Sequence, residues 1–211
     1  MTGALRPAAC GALLAVGLRG VFAWGPSPPR GDALCTWEGR LPPAARPALP
    51  PGQRAQLLAL LEDPAPQARD RAARLLGEGR VHEAVPRLLL AAGDPDDHVR
   101  QGAGWALGQL EDARALPALI GLALSDNEHL RSEAAWALGL IHEPRAVPVL
   151  GKLAADPSEH VRGGAICSLG RIGAVAARSL IDRAAHDPSL KVRDAAAWAE
   201  ARISGQESAS P

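Results

Sequence analysis

The sequence returns to itself every 31 residues. Arg69, Arg100, Arg131, Arg162 and Arg193 keep that step, as do Ala72, Ala103, Ala134, Ala165 and Ala196. Leu76, Leu107, Leu138 and Leu169 form another column, Gly77, Gly108, Gly139 and Gly170 (Ala201 in the last unit) a fourth, and Pro86, Pro117 and Pro148 a fifth. Five periods of 31 residues fill the 155 positions from 51 to 205. A period of about 20–50 residues marks a solenoid or array, whose units bury their apolar faces only by stacking on their neighbours.

Each period contains two helical patterns and nothing that reads as a strand. The first is short, as in Ala84 to Leu90, with a proline tolerated in its opening turn. The second follows Asp-Pro at Asp63-Pro64, Asp94-Pro95, Asp156-Pro157 and Asp187-Pro188, with Ser125-Asp126 in the third unit. Asp as N-cap and Pro at the first helical position would satisfy the orphan amides and preset φ. Val99, Ala103, Leu107 and Leu110 then keep the 4-4-3 spacing of one apolar stripe. The glycine column falls near the end of this second helix, where it would allow close packing or help the chain turn back. The expected fold is all-α, an α-α superhelix of five repeats and about ten helices.

The repeated string, Asp-Pro followed by Val-Arg, Ala and then Trp-Ala-Leu-Gly, resembles a HEAT repeat. More narrowly it resembles the HEAT-like repeats named after phycobilisome (bilin) lyases, most clearly at Asp94 to Gly108 and Leu130 to Gly139. The resemblance spans 51–205. It implies an Asp–Arg ladder between neighbouring repeats and second helices that line the concave surface. For function it implies less, since that group includes bilin lyase subunits, an iron-dependent deoxyhypusine hydroxylase and plain scaffolds.

Charge and cysteine usage narrow the classes. The chain has 23 basic and 23 acidic side chains, so no overall field favours nucleic acid or an anionic membrane. Within 51–205 the balance is 18 basic to 20 acidic, which argues against a nucleic-acid binder. Cys10, Cys35 and Cys167 are too few for a disulfide framework, and no two form a CxxC pair.

The first 50 residues differ, with five Arg against two acids. Residues 1–23 read as a signal or anchor segment: Arg6, then an apolar run from Pro7 to Leu18, then Val21-Phe22-Ala23 as a small-residue cleavage site. Arg19 interrupts the pattern and leaves the run short for a membrane span. Residues 24–50 read as a proline-rich linker, with eight prolines between Pro26 and Pro51. Residues 206–211 read as a polar tail. These features imply an exported protein, periplasmic or in the envelope, with no integral membrane domain beyond a candidate anchor; without the signal it would be cytoplasmic.

Catalytic groups are scarce. In the hydroxylases that the repeats resemble, His-Glu pairs directly after the Arg column hold the iron. Here those positions are Asp70-Arg71, Gln101-Gly102, Ser132-Glu133, Gly163-Gly164 and Asp194-Ala195. His82-Glu83 and His142-Glu143 fall instead at the links between repeats. Cys167 has no His at one-turn spacing to activate it. His98, His129 and His160 form a column, but equivalent residues in stacked helices sit about 8–10 Å apart, too far for one ion to collect all three. The reading assigns no catalytic residue, no cofactor and no metal.

The remaining candidate is a surface. At about 100° per residue, Val99, Leu107 and Leu110 lie within roughly 40° of Ala103, and His98, Gln101 and Trp105 about 140–200° away. The same back face carries His129, Ser132 and Trp136, then His160, Gly163 and Cys167, then Lys191, Asp194 and Trp198. With the flanks packed on neighbouring repeats, this face is expected to meet solvent. Tryptophan among polar neighbours is the composition of a binding hot spot; the alternative is that each ring covers the adjacent repeat. The reading is therefore a monomeric or weakly associated protein-binding scaffold, its candidate partner-binding residues being His98, Gln101, Trp105, His129, Ser132, Trp136, His160 and Trp198, with a bilin-lyase-like or hydroxylase-like enzyme or subunit as the alternative.

Overall fold

A computed structural model describes residues 49–208, with side chains to residue 205. Ten α-helices follow in pairs: α1 (Pro51–Leu60) with α2 (Pro66–Glu78), α3 (Val85–Ala91) with α4 (Asp97–Leu110), α5 (Leu116–Ala123) with α6 (Glu128–Ile141), α7 (Val147–Leu153) with α8 (Glu159–Ile172), and α9 (Arg178–Ala184) with α10 (Leu190–Ser208). No strand occurs among the described residues. The last helix runs through Ser208, so it continues past the end of the fifth period.

The even helices stack on one another and the odd helices cover one side of that stack. The apolar stripe faces the partner helix: Val99, Ala103 and Leu107 are wholly buried and Leu110 nearly so. Leu76, Leu107, Leu138 and Leu169 form a continuous spine at 0% exposure. Each fully buried leucine contributes about 1.5–3 kcal/mol over an exposed one.

The even helices approach at backbone distance because of the glycine column. A methyl group built on Gly108 would lie 2.7 Å from Cβ and 2.8 Å from Cα of Ala137. Gly77 meets Ala106, and Gly170 meets Ala199, in the same way. At Gly139 the facing residue is Ser168, whose buried hydroxyl donates to the carbonyl of Ala135 at 2.8 Å. The glycines thus serve close packing, and the turn belongs to another column. Arg80, Glu111, His142 and Gly173, again 31 apart, hold φ of 49°, 54°, 55° and 69°. Only the last is the residue type that this left-handed conformation favours. A short 3₁₀ turn follows each, at His82–Ala84, Ala113–Ala115, Pro144–Ala146 and Val175–Ala177, and leads into the next odd helix.

The Asp-Pro pairs do not cap the even helices. Helix α4 begins at Asp97, and its N-cap is Asp96, whose carboxylate accepts from the amides of His98 and Val99. Asn127 caps α6 through its side-chain oxygen, which accepts from the amide of His129. Asp94 instead accepts the amide of Asp96 at 2.9 Å, closing a turn before the helix. Asp156 and Asp187 repeat that bond to Ser158 and Ser189 at 2.9 and 2.8 Å. Each aspartate has another task as well, and it lies between repeats.

Candidate partner-binding surface

The Asp and Arg columns join into a ladder. Arg69 donates through Nε and Nη2 to both oxygens of Asp94, each at 2.8 Å. Arg131 grips Asp156 at 2.7 and 3.1 Å, and Arg162 grips Asp187 at 2.8 and 2.9 Å. The remaining Nη1 ties down two carbonyls of the same repeat, those of Asp156 and Pro157 in the case of Arg162. The column is therefore occupied by structure and leaves no guanidinium row for an external anion. One rung is missing: Ser125 stands where Arg100 would find its carboxylate, and Arg100 pairs with Asp97 of its own helix. Asn127 closes that gap from the other side, donating to Asp97 at 2.6 Å.

The face opposite the apolar stripe divides into an open half and a covered half. His98, His129 and His160 stand exposed in the first turns of α4, α6 and α8. Gln101 and Ser132 are half-buried one turn further on, and Gly163 is buried. Trp105 is only 3% exposed and Cys167 only 1%, while Trp136 and Trp198 are half-buried. The expectation that the whole back face meets solvent is thus corrected. Because the even helices meet through glycine, an indole reaches the preceding helix: Cζ3 of Trp105 lies 3.0 Å from a methyl built on Gly77, and that of Trp198 lies 3.1 Å from one built on Gly170. Between them Trp105, Ser132, Glu133 and Trp136 line a small depression of about 70 Å³. A larger cleft of about 640 Å³ lies between the first and second repeats, lined in part by Gln67, Asp70, Arg74, Glu78 and His98.

Two features of this face escaped the sequence reading. Arg171 lies 5.0 Å from the ring centre of Trp136 and 5.9 Å from that of Trp198, and Arg202 lies 5.3 Å from Trp198. Rings and guanidiniums alternate along α6, α8 and α10, a cation–π arrangement. Burial, and secondarily the charge of Arg202, hold the Arg171 guanidinium below its ordinary pKa. The second feature is that Cys167 is disulfide-bonded. His82 and His142, the links between repeats, are exposed, as expected of surface residues. Glu143 is held below the ordinary carboxylate range by Arg145.

Helix pairs stacked in register and joined by Arg–Asp rungs define an α-solenoid. The HEAT-repeat family profile matches residues 55–139 and 122–201, and the chain belongs to that family. Among solved structures it is similar to the complex of CpcE and CpcF of phycocyanin lyase from Nostoc sp. PCC7120, at 26% identity and a TM-score of 0.66, covering 80% of this chain and 70% of that one. It is also similar to a designed armadillo repeat protein in complex with the peptide (KR)4, at 24% identity and a TM-score of 0.59, covering 70% of this chain and 80% of that one. An engineered protein matches at 21% identity and a TM-score of 0.59, with 72% and 79% covered. Comparison with functionally curated proteins gives no match. No described helix is long and apolar enough to cross a membrane.

Proposed function

We propose that the protein is a non-catalytic scaffold that binds another protein along the even-helix face, and that it acts as a monomer. The observation that carries this reading is the depression between Trp105 of α4 and Trp136 of α6, flanked by Ser132 and Glu133. His98, His129 and His160 extend the surface over three repeats, and Gln101, Trp136 and Trp198 add half-buried polar and aromatic area. Partly buried Trp with polar neighbours on a rigid backbone suits an interface anchor. The test is a comparison of wild type with Ser132→Arg, which pushes a long cation into the depression without touching the leucine spine. We expect the variant to keep its helical content and melting temperature and to lose at least about tenfold of its capture of proteins from a host extract. Equal capture by both would overturn the reading.

The likeness to the phycocyanin lyase complex favours a second reading, a lyase-type subunit. Visible absorbance of the protein purified from its host decides between them: a bound pigment would reverse the order. Export through residues 1–23 completes the proposal, supported by the disulfide at Cys167, since such bonds persist in oxidising compartments. The expected mature N-terminus is Trp24, which intact mass checks.

A further inference from the structure

The ladder is open at both ends of the described array. Arg69, Arg131 and Arg162 each hold the aspartate that lies 25 residues ahead, in the next repeat. Arg193 of the fifth repeat makes the same local bonds, its Nη1 donating to the carbonyls of Asp187 and Pro188 at 2.7 and 2.9 Å. Its Nε and Nη2, the edge that forms the rung elsewhere, meet no carboxylate among the described residues. At the other end, Asp63 of the first repeat accepts the amide of Ala65 at 2.8 Å, as Asp94, Asp156 and Asp187 accept theirs. No described arginine grips it. One end thus keeps the donor of a rung and the other end its acceptor.

A second pair of charges falls in the same register. Between α2 and α4 the carboxylate of Asp70 lies directly over Gly102. Carried one junction beyond the array, that relationship sets Asp194 of α10 against Arg71 of α2, since each is the 31-residue equivalent of those positions. Arg71 is exposed and Asp194 half-buried, and neither has an ion-pair partner among the described residues. A repeat array that is to stay single carries terminal faces unlike its internal ones. Here both ends retain the residue types of the internal interface, with complementary charge.

We propose that the fifth repeat of one copy stacks on the first repeat of a second copy, Arg193 gripping Asp63 and Asp194 meeting Arg71. The occupant is a second copy of this chain because donor and acceptor ends belong to one molecule, in a register continuous with the four even-helix interfaces inside it. The contact is weak. Ala201 stands where Gly77, Gly108, Gly139 and Gly170 stand, and it would face Leu75, the position held inside the array by Ala106, Ala137, Ser168 and Ala199. Larger side chains keep these two helices further apart than their internal counterparts, and ion pairs near the surface add little. The single chain therefore prevails in dilute solution, and stacking appears as concentration rises. A head-to-tail contact of this kind does not stop at two copies.

Sedimentation equilibrium of the full chain, at concentrations up to about 0.5 mM, tests this. The average mass of the wild type should climb with concentration past that of two chains. Asp63→Asn keeps a side-chain oxygen for the Ala65 amide, and Arg193→Gln removes the fork at the other end. Each variant alone should associate at least about tenfold more weakly, with helical content by circular dichroism unchanged. Mixed one to one, the intact Arg193 of the first variant can meet the intact Asp63 of the second, so the mass should rise to two chains and stop there. A wild type that stays single overturns the proposal. So do variants that associate as the wild type does, or a mixture no heavier than its components. The stacking does not rest on the even-helix binding face: partner capture is read on Ser132→Arg and sedimentation on the end variants, so either reading can fail alone.

Discussion

Arg131 in the third repeat holds Asp156 of the fourth through two hydrogen bonds of 2.7 and 3.1 Å, while its Nη1 donates to the carbonyls of Ser125 and Asp126 in its own repeat. One side chain thus closes the turn before its helix and fastens the next repeat. In a stack whose units touch only their neighbours, such rungs set how firmly each interface is joined.

The ladder makes stability depend on acid. Arg69 holds Asp94, and Arg162 holds Asp187, below the ordinary carboxylate range. For Asp156, burial pushes upward, yet Arg131, the amide of Ser158 and Arg162 together keep it lowered. A lowered folded-state pKa contributes stability above the unfolded value of about 3.9 and loses it as pH falls through the folded value. The melting temperature should therefore fall below about pH 4. Asp156→Asn should be less stable at pH 7 and show a shallower acid limb in thermal melts from pH 7 to pH 3.

The missing rung can be supplied. Ser125→Asp places a carboxylate where Arg100 reaches in the pattern of the other repeats, beside the Asn127 amide that Ser125 now accepts at 3.2 Å. We expect a gain of about 0.5–1.5 kcal/mol in urea unfolding, and no gain when Arg100 is changed to Gln in the same background.

Two glycines should respond to alanine with opposite signs. At Gly108 the new methyl would meet the backbone of Ala137 at 2.8 Å, whereas around Gly121 in α5 nothing lies within 4 Å. Gly108→Ala should destabilise by about 1–3 kcal/mol through overpacking. Gly121→Ala should stabilise by up to about 1 kcal/mol through helix propensity. Chemical denaturation of the two single variants checks both.

The left-handed column offers a further gain. His142 holds φ of 55°, a conformation that costs a residue with a Cβ about 1–2 kcal/mol. His142→Gly should stabilise by about 0.5–1 kcal/mol after the added chain entropy is counted. Gly173→Ala, at φ 69°, should destabilise by a similar amount. Differential scanning calorimetry on the pair reads the sign directly.

The sequence by itself determined the class of fold, the number of repeats and the buried stripe. A 31-residue period and 4-4-3 apolar spacing admit few packings, and Val99, Ala103 and Leu107 are buried as that spacing requires. It also placed His98, Gln101 and Trp105 opposite the stripe, because helical periodicity is local. Tertiary structure decided what that face became. Whether Trp105 is wet depends on how near the preceding helix lies, and that follows from Gly77 meeting Ala106, a contact between repeats. It also decided that Asp94, Asp156 and Asp187 serve a turn and the arginine of the preceding repeat instead of a helix cap, since each carboxylate takes one local amide and a guanidinium that is distant in the chain. The alternation of Trp136, Arg171, Trp198 and Arg202 arises in the same way. Its members are distant in the chain, and only the stacking of one helix on the next brings their side chains within reach.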